Sequence, residues 1–118
     1  MSLANISLNK RQDKRLAEAM KTIQNKESSL NILLAHRPKD ASLMKQDSWL
    51  DCQFSGHTHG GQLWPINYLV KKDQKYVKGL YHLGNGQYLY VNQGTGLWGP
   101  PMRLGTDCEI SLIRFEQV

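Results

Sequence analysis

Three of the chain's four histidines stand at the ends of short apolar runs. His36 follows Leu33-Leu34-Ala35, and His57 and His59 lie in Gly56-His57-Thr58-His59-Gly60. Neutral imidazole is the commonest protein metal ligand, and glycine lets a backbone come close to an ion or a substrate. His-x-His between glycines therefore offers two metal-binding nitrogens in a turn with little steric cover. Taken alone, it fits a plain polar turn as well as a metal site. His36, in the same kind of position after the preceding apolar run, adds weight to the metal reading.

The elements around these residues can bring them together. Residues 30–35 read as a buried strand, too short for a stand-alone helix and stopped at Arg37-Pro38, because the residue before proline avoids helical conformation. Residues 49–55 read as a second strand. Residues 39–46 between them have room for about two helical turns at roughly 1.5 Å per residue. Strand, short helix, strand is a βαβ unit, and its crossover makes the strands parallel neighbours. Ligands gather at the carboxyl ends of strands in open α/β sheets, so His36, His57 and His59 are expected at one edge.

The remaining segments read as scaffold. Asn9 is expected to cap an amphipathic helix over residues 10–25, with Leu16, Met20 and Ile23 on its apolar side. Residues 62–70 fit a short helix or an irregular loop, and Pro65 argues against a helix beginning before it. Gly84-Asn85-Gly86 between two strand-like runs is a hairpin signal, and residues 109–116 alternate like a terminal strand. His82 on the hairpin reads as an ordinary histidine. Cys52 reads as a small buried apolar residue, and with Cys108 it makes no disulfide framework that would report a compartment. The glycine-rich run 93–99 lacks the lysine of a phosphate-binding loop.

Two stretches carry a resemblance. Leu33-Leu34-Ala35-His36-Arg37-Pro38 and Phe54-Ser55-Gly56-His57-Thr58-His59-Gly60-Gly61-Gln62 resemble the last two metal motifs of the calcineurin-like metallophosphoesterases. Leu89-Tyr90-Val91-Asn92-Gln93-Gly94-Thr95-Gly96, with Pro100-Pro101-Met102-Arg103 and Glu109-Ile110, is similar to one bacterial branch whose members are often attached to membranes. The resemblance runs over residues 30–116 in the family's order. It implies an α/β sandwich with a mixed sheet and flanking helices. It also implies two divalent ions (Mn, Zn or Fe) that share a bridging aspartate and activate water to attack a phosphate ester. Paired ions lower the pKa of bound water and clamp the attacking and leaving oxygens, and imidazole nitrogens suit such metals. By position, His36 and His57 match ligands of the second metal and His59 a ligand of the first. Arg103 falls near the active-site rim, where its planar fork would suit a phosphate; a surface ion pair is the competing reading.

The match is partial. The family also uses Asp-x-His, Gly-Asp and Asn-His motifs further upstream, whereas residues 1–29 contain no histidine and a single aspartate, Asp13. The chain is therefore expected to be the C-terminal half of a phosphoesterase domain: residues 1–8 a leader or linker, residues 9–118 the domain's C-terminal part. Three metal ligands without the bridging carboxylate or the general-acid histidine should not catalyse alone. Two other classes stay open. One is a self-sufficient zinc module in which His36, His57 and His59 are completed by water or Asp51. The other is a basic interaction domain in which the histidines are incidental.

Composition sets the outer bounds. The 118 residues suffice for one domain, and 40% hydrophobic content argues against intrinsic disorder. No run approaches the ~20 apolar residues that span a bilayer, and no signal-peptide pattern opens the chain. It reads as a soluble piece, with any membrane anchor of a parent protein outside it and its compartment unknown. The net charge of +5 gathers at Lys10, Arg11, Lys14, Arg15, Lys21 and Lys26, and again at Lys71, Lys72, Lys75 and Lys78. Such clusters attract phosphate-bearing partners, but without interleaved aromatics they give no strong nucleic-acid signal. The partner expected of the intact domain is a phosphate-ester substrate. A domain lacking its first half should expose a sheet edge or face, so a homodimer is expected as well.

Overall fold

In Ile32–Ala35 (β2) and Cys52–Ser55 (β3), every residue but the third is buried. That pattern belongs to central parallel strands covered on both faces. The computed structural model describes residues 3–6, 18, 21, 30–44 and 49–116. Within them β2 pairs in parallel with β3, as the βαβ reading requires. β3 pairs in parallel with Gln87–Val91 (β5), and β5 pairs antiparallel with Gly79–Gly84 (β4). Leu3–Ile6 (β1) runs parallel to β2 at the other edge, giving the order β1-β2-β3-β5-β4. The mixed α/β sheet expected from the sequence is present. Within the stretch 1–8, read as leader or linker, Leu3–Ile6 lies along the edge of β2 as a strand. Of the helix expected over residues 10–25, only Glu18 and Lys21 fall among the described residues, both helical; Asn9 lies outside them.

The crossover from β2 to β3 starts with a tight turn, Pro38–Asp40, and continues into a short helix, Ala41–Met44 (α1). Proline suits the first helical position because its missing N–H needs no partner there. Residues 45–48 of the expected crossover helix lie outside the described residues. Met44 packs with Leu33, Ala35 and Leu50, while Ala41 packs with Leu89 and Val91, so the crossover closes one face of the sheet. Gln87 is buried against it and donates through Nε2 to the carbonyls of Met44 (3.0 Å) and Leu50 (2.9 Å). A buried amide satisfied in this way ties both ends of the crossover to β5.

The hairpin forms where the Asn-Gly signal placed it. Asn85 and Gly86 both have positive φ (51° and 74°), the hallmark of the two-residue turn whose twist matches the strands. Between β3 and β4, the open choice for residues 62–70 resolves into a helix at Asn67–Gln74 (α2), which begins beyond Pro65. The terminal strand expected over residues 109–116 is not formed. β5 already has β3 on one side and β4 on the other, so the segment crosses the second face of the sheet instead. There Phe115 meets Phe54 edge to face at 6.2 Å, while Ile110 and Leu112 remain 90% and 97% exposed. Alternation alone does not make a strand; residues 109–116 pair with no neighbouring strand.

Two glycines in left-handed conformation should respond differently to a Cβ. At Gly86 nothing lies within 4 Å, so Gly86→Ala carries only the backbone penalty, about 1–2 kcal/mol. At Gly61 the new atom would lie 2.4 Å from Asn67 Cβ and 2.7 Å from its Cα, so the start of α2 must also move. Denaturant titration is expected to show the larger loss for Gly61→Ala; equal losses would contradict this packing.

Candidate metal centre at the carboxyl edge of the sheet

β2 and β3 end side by side, and local bonds fasten the turns that leave them. The Gly56 N–H donates to the His36 carbonyl at 3.2 Å. Buried Gln53 donates through Nε2 to the Arg37 carbonyl (3.3 Å) and to Ser55 Oγ (2.8 Å). Glutamine is an unusual core residue; here its amide joins the turn after β2 to the end of β3. The result brings His57 Nδ1 within 2.9 Å of His36 Nε2, with ring centroids 4.7 Å apart. One of the two nitrogens carries the shared proton.

The His57 turn is held in costly backbone geometry. His57 (φ 69°), His59 (φ 50°) and Gln62 (φ 42°) all occupy the left-handed region, where an L side chain costs roughly 1–2 kcal/mol. Such residues persist only where their surroundings over-determine them. Thr58 supplies part of that constraint: its Oγ1 donates to the Val77 carbonyl at 2.6 Å, and its backbone oxygen accepts from Gly61 N at 2.7 Å. Gln62 supplies more. Its side chain donates to the Trp98 carbonyl and accepts from the Trp98 N–H, both at 2.6 Å. Its carbonyl accepts from Leu104 N at 2.8 Å.

The glycine-rich run therefore packs against the histidine turn. His59 Nδ1 lies 3.3 Å from the Gly96 carbonyl. Arg103 binds the same region from behind. Its Nη1 donates to the His59 carbonyl (3.0 Å), and its Nη2 reaches the carbonyls of Gln93 (3.0 Å), Gly94 (3.0 Å) and Gly96 (2.8 Å). Glu109 anchors the run to the sheet: its carboxylate accepts from the Gln93 N–H (3.0 Å), Gln93 Nε2 (3.2 Å), Ser111 Oγ (2.6 Å) and the Tyr90 hydroxyl.

Electrostatics reflect these contacts. Partial burial, with His36, Arg37 and His59 nearby, lowers the His57 pKa against a smaller opposing effect of Asp73. The imidazole is thereby kept in the neutral form that binds metals. Partial burial works to raise the Glu109 carboxyl, but its hydrogen bonds from Ser111, Tyr90 and Gln93 prevail and pull it down to about 2. The bond to Glu109 in turn raises the Tyr90 phenol. Burial, aided by Asp51, pushes the Cys52 thiol up to about 11; Cys52 and Cys108 are both free.

The structure brings His36 and His57 into contact and places His59 on the same cavity of about 530 Å³, which Leu63, Leu69 and Trp98 also line. Among the described residues, no three His, Cys, Asp or Glu side chains gather as a complete metal cage. The donors present fit part of a metal centre: three imidazoles line one cavity, with Asp73 also on its wall. Asp51, the ligand considered for a self-sufficient zinc site, precedes β3 while the histidine turn comes after it, and its Oδ2 accepts from Asn31 N at 2.6 Å. His82 is exposed and packs edge to face on Tyr88 at 4.8 Å. Nothing in the sequence pattern assigns a role to Gln53, Gln62, Gln93 or Glu109. Long polar residues are usually surface residues, and only their partners reveal these as braces.

The class of protein emerges from comparison with known sequences. The curated relatives are metallophosphoesterases, and the chain belongs to the calcineurin-like metallophosphoesterase family. In particular, it is 46% identical over 89 residues to an uncharacterized metallophosphoesterase of Campylobacter jejuni, a match covering 75% of this chain and 24% of that protein. It is 43% identical over 88 residues to one from Helicobacter pylori, again 75% of this chain and 24% of the relative. A transmembrane protein with metallophosphoesterase domain from Danio rerio is 39% identical over 87 residues, covering 73% of this chain and 20% of that protein. The chain thus spans about a quarter of the length of the curated bacterial relatives it matches. No protein-family profile and no solved structure matches it significantly.

The lowered Glu109 pKa predicts a pH dependence. A carboxylate held at about 2, against an ordinary value of 4.5, stabilises the fold fully above 4.5 and loses that contribution as pH falls through 2. Thermal melts from pH 7 to 2 should show Glu109→Gln less stable at neutral pH and converging on the parent chain in acid. Parallel curves would contradict the brace.

Proposed function

We propose that this chain is the C-terminal part of a two-metal phosphoesterase domain and supplies three of its metal ligands, His36, His57 and His59. The observation that carries the reading is the 2.9 Å approach of His36 Nε2 to His57 Nδ1 at the carboxyl ends of adjacent parallel strands. His36 and His57 would serve one ion and His59 the other, and the bridging carboxylate would come from upstream sequence. When bound, divalent ions supply a water of lowered pKa and neutralise charge on the phosphate ester. The chain's own residues hold three imidazoles at one rim, keep His57 neutral and brace the turn that carries them. On this reading the chain alone does not catalyse, and the identity of the ions is set by supply and the missing ligands.

Arg103 is less suited to gripping substrate. Its terminal nitrogens are occupied by backbone carbonyls, so a phosphate would have to displace those bonds. Some relatives are named transmembrane proteins, and among the described residues no helix is long and apolar enough to cross a membrane. We infer that the whole protein works at a membrane through segments other than those described. Exposed Trp64 and Trp98, with Lys71 and Lys72 on α2, fit an interfacial rim.

Calorimetric titration with Mn²⁺ and Zn²⁺ tests the ligand assignment. The chain alone should bind weakly, a longer protein carrying the upstream motifs tightly, and the double variant His57→Ala/His59→Ala should lose binding in both. Tight one-to-one zinc binding by the chain alone would contradict the half-site reading and favour a self-sufficient module. Exposed apolar side chains around the second face of the sheet, Leu80 (66%) on β4 and Leu112 (97%) on the segment that crosses it, should make the isolated chain pair with a second copy. Light scattering is expected to give the mass of two chains; a monomer at high concentration would contradict that.

A further inference from the structure

Arg103 sits where one side chain controls both the backbone and the ring of His59. Its two terminal nitrogens carry four N–H groups, and five oxygens lie around them: the carbonyls of His59, Gln93, Gly94 and Gly96, and Thr106 Oγ1 at 3.4 Å. The Gly96 carbonyl, 2.8 Å from Nη2, is also the group facing His59 Nδ1 at 3.3 Å. A carbonyl only accepts, so this contact is a hydrogen bond only when the proton sits on Nδ1. Nε2 is then left with its lone pair free. A Cβ at Gly96 would lie 4.0 Å from His59 Cε1, at ordinary contact distance.

We propose that Arg103 is a positioning residue that fixes His59 as its Nδ1–H tautomer, by holding the Gly96 carbonyl against the ring and the His59 carbonyl behind it. The inference rests on the phosphoesterase reading in so far as Nε2 is presented to a metal ion. A partner that sets the tautomer and orientation of a ligating histidine typically changes metal affinity by about 10–100-fold when lost. Lysine cannot replace the arginine here, because a point charge on a flexible stem lacks the planar fork that spans two loops.

The test uses Arg103→Lys and Arg103→Gln, with nitrogen–proton correlation spectra of the histidine rings in the metal-free chain and Mn²⁺ titration of the longer protein. In the parent chain His59 should be the Nδ1–H tautomer. In both variants it should become a mixture, with His36 and His57 signals unchanged, and Mn²⁺ should bind about 10–100-fold more weakly. Gly96→Ala, which keeps the carbonyl and adds an atom at ordinary contact distance, should behave like the parent. Should either variant fail to fold, the other and the parent spectrum still decide. An Nε2–H tautomer in the parent, or an unaltered one in a folded variant, overturns the proposal. Weaker binding of inorganic phosphate with unchanged Mn²⁺ affinity would also overturn it, in favour of a substrate contact. His59→Ala separates the two levels: unaltered Mn²⁺ affinity there removes the ligand role of His59 and with it the metal half of the proposal. The tautomer shift in the Arg103 variants reads positioning independently of that result.

Discussion

The histidine turn is affordable only because a second loop is bonded along its length. His57, His59 and Gln62 each hold a left-handed backbone, which together costs several kcal/mol at about 1–2 per residue. That strain is sustained by bonds of long sequence reach: Gln62 to Trp98, Arg103 to the His59 carbonyl, and Thr58 to Val77.

The constraint reaches back into the sheet. Glu109 ties Gln93 to Tyr90 on β5, and Asn92 donates to Ser111 Oγ at 2.9 Å while accepting from Gly94 N at 2.6 Å. The glycine-rich run is therefore neither a flexible loop nor a phosphate cradle; it is a polar brace between β5 and the histidine turn. Gly94 and Gly99 supply positive φ (71° and 67°), and the run's carbonyls serve as acceptors for Arg103. The chain places function on loops and precision in the strands beneath them, as α/β proteins commonly do.

Much of this was legible in the residues. The apolar runs before His36 and His57, the proline after Arg37 and the Asn-Gly turn placed β2, β3, β4 and β5 and the edge where the histidines meet. The features that escaped were long-range. The strand at Leu3–Ile6 is too short to announce itself, and it exists because β2 offers an open edge. Residues 109–116 alternate like a strand, yet β5 has no side left for them. The sequence offers Arg103 as a phosphate contact or a surface ion pair; its bonds to the carbonyls of His59, Gln93, Gly94 and Gly96 appear only in the fold. The family, by contrast, is given by the resemblance of the two histidine motifs and the stretches after them to the calcineurin-like metallophosphoesterases, and it is borne out by the relatives.

In the proposed assignment, His36 and His57 share one ion while His59 serves its neighbour. Anomalous diffraction at the zinc edge, from crystals of a protein that joins this chain to the proposed upstream motifs, addresses this directly. The expected result is a peak about 2.0–2.1 Å from one nitrogen each of His36 and His57, with a second peak at His59 Nε2. Zinc bound elsewhere, with the His36–His57 contact intact, would contradict the assignment of these residues as metal ligands.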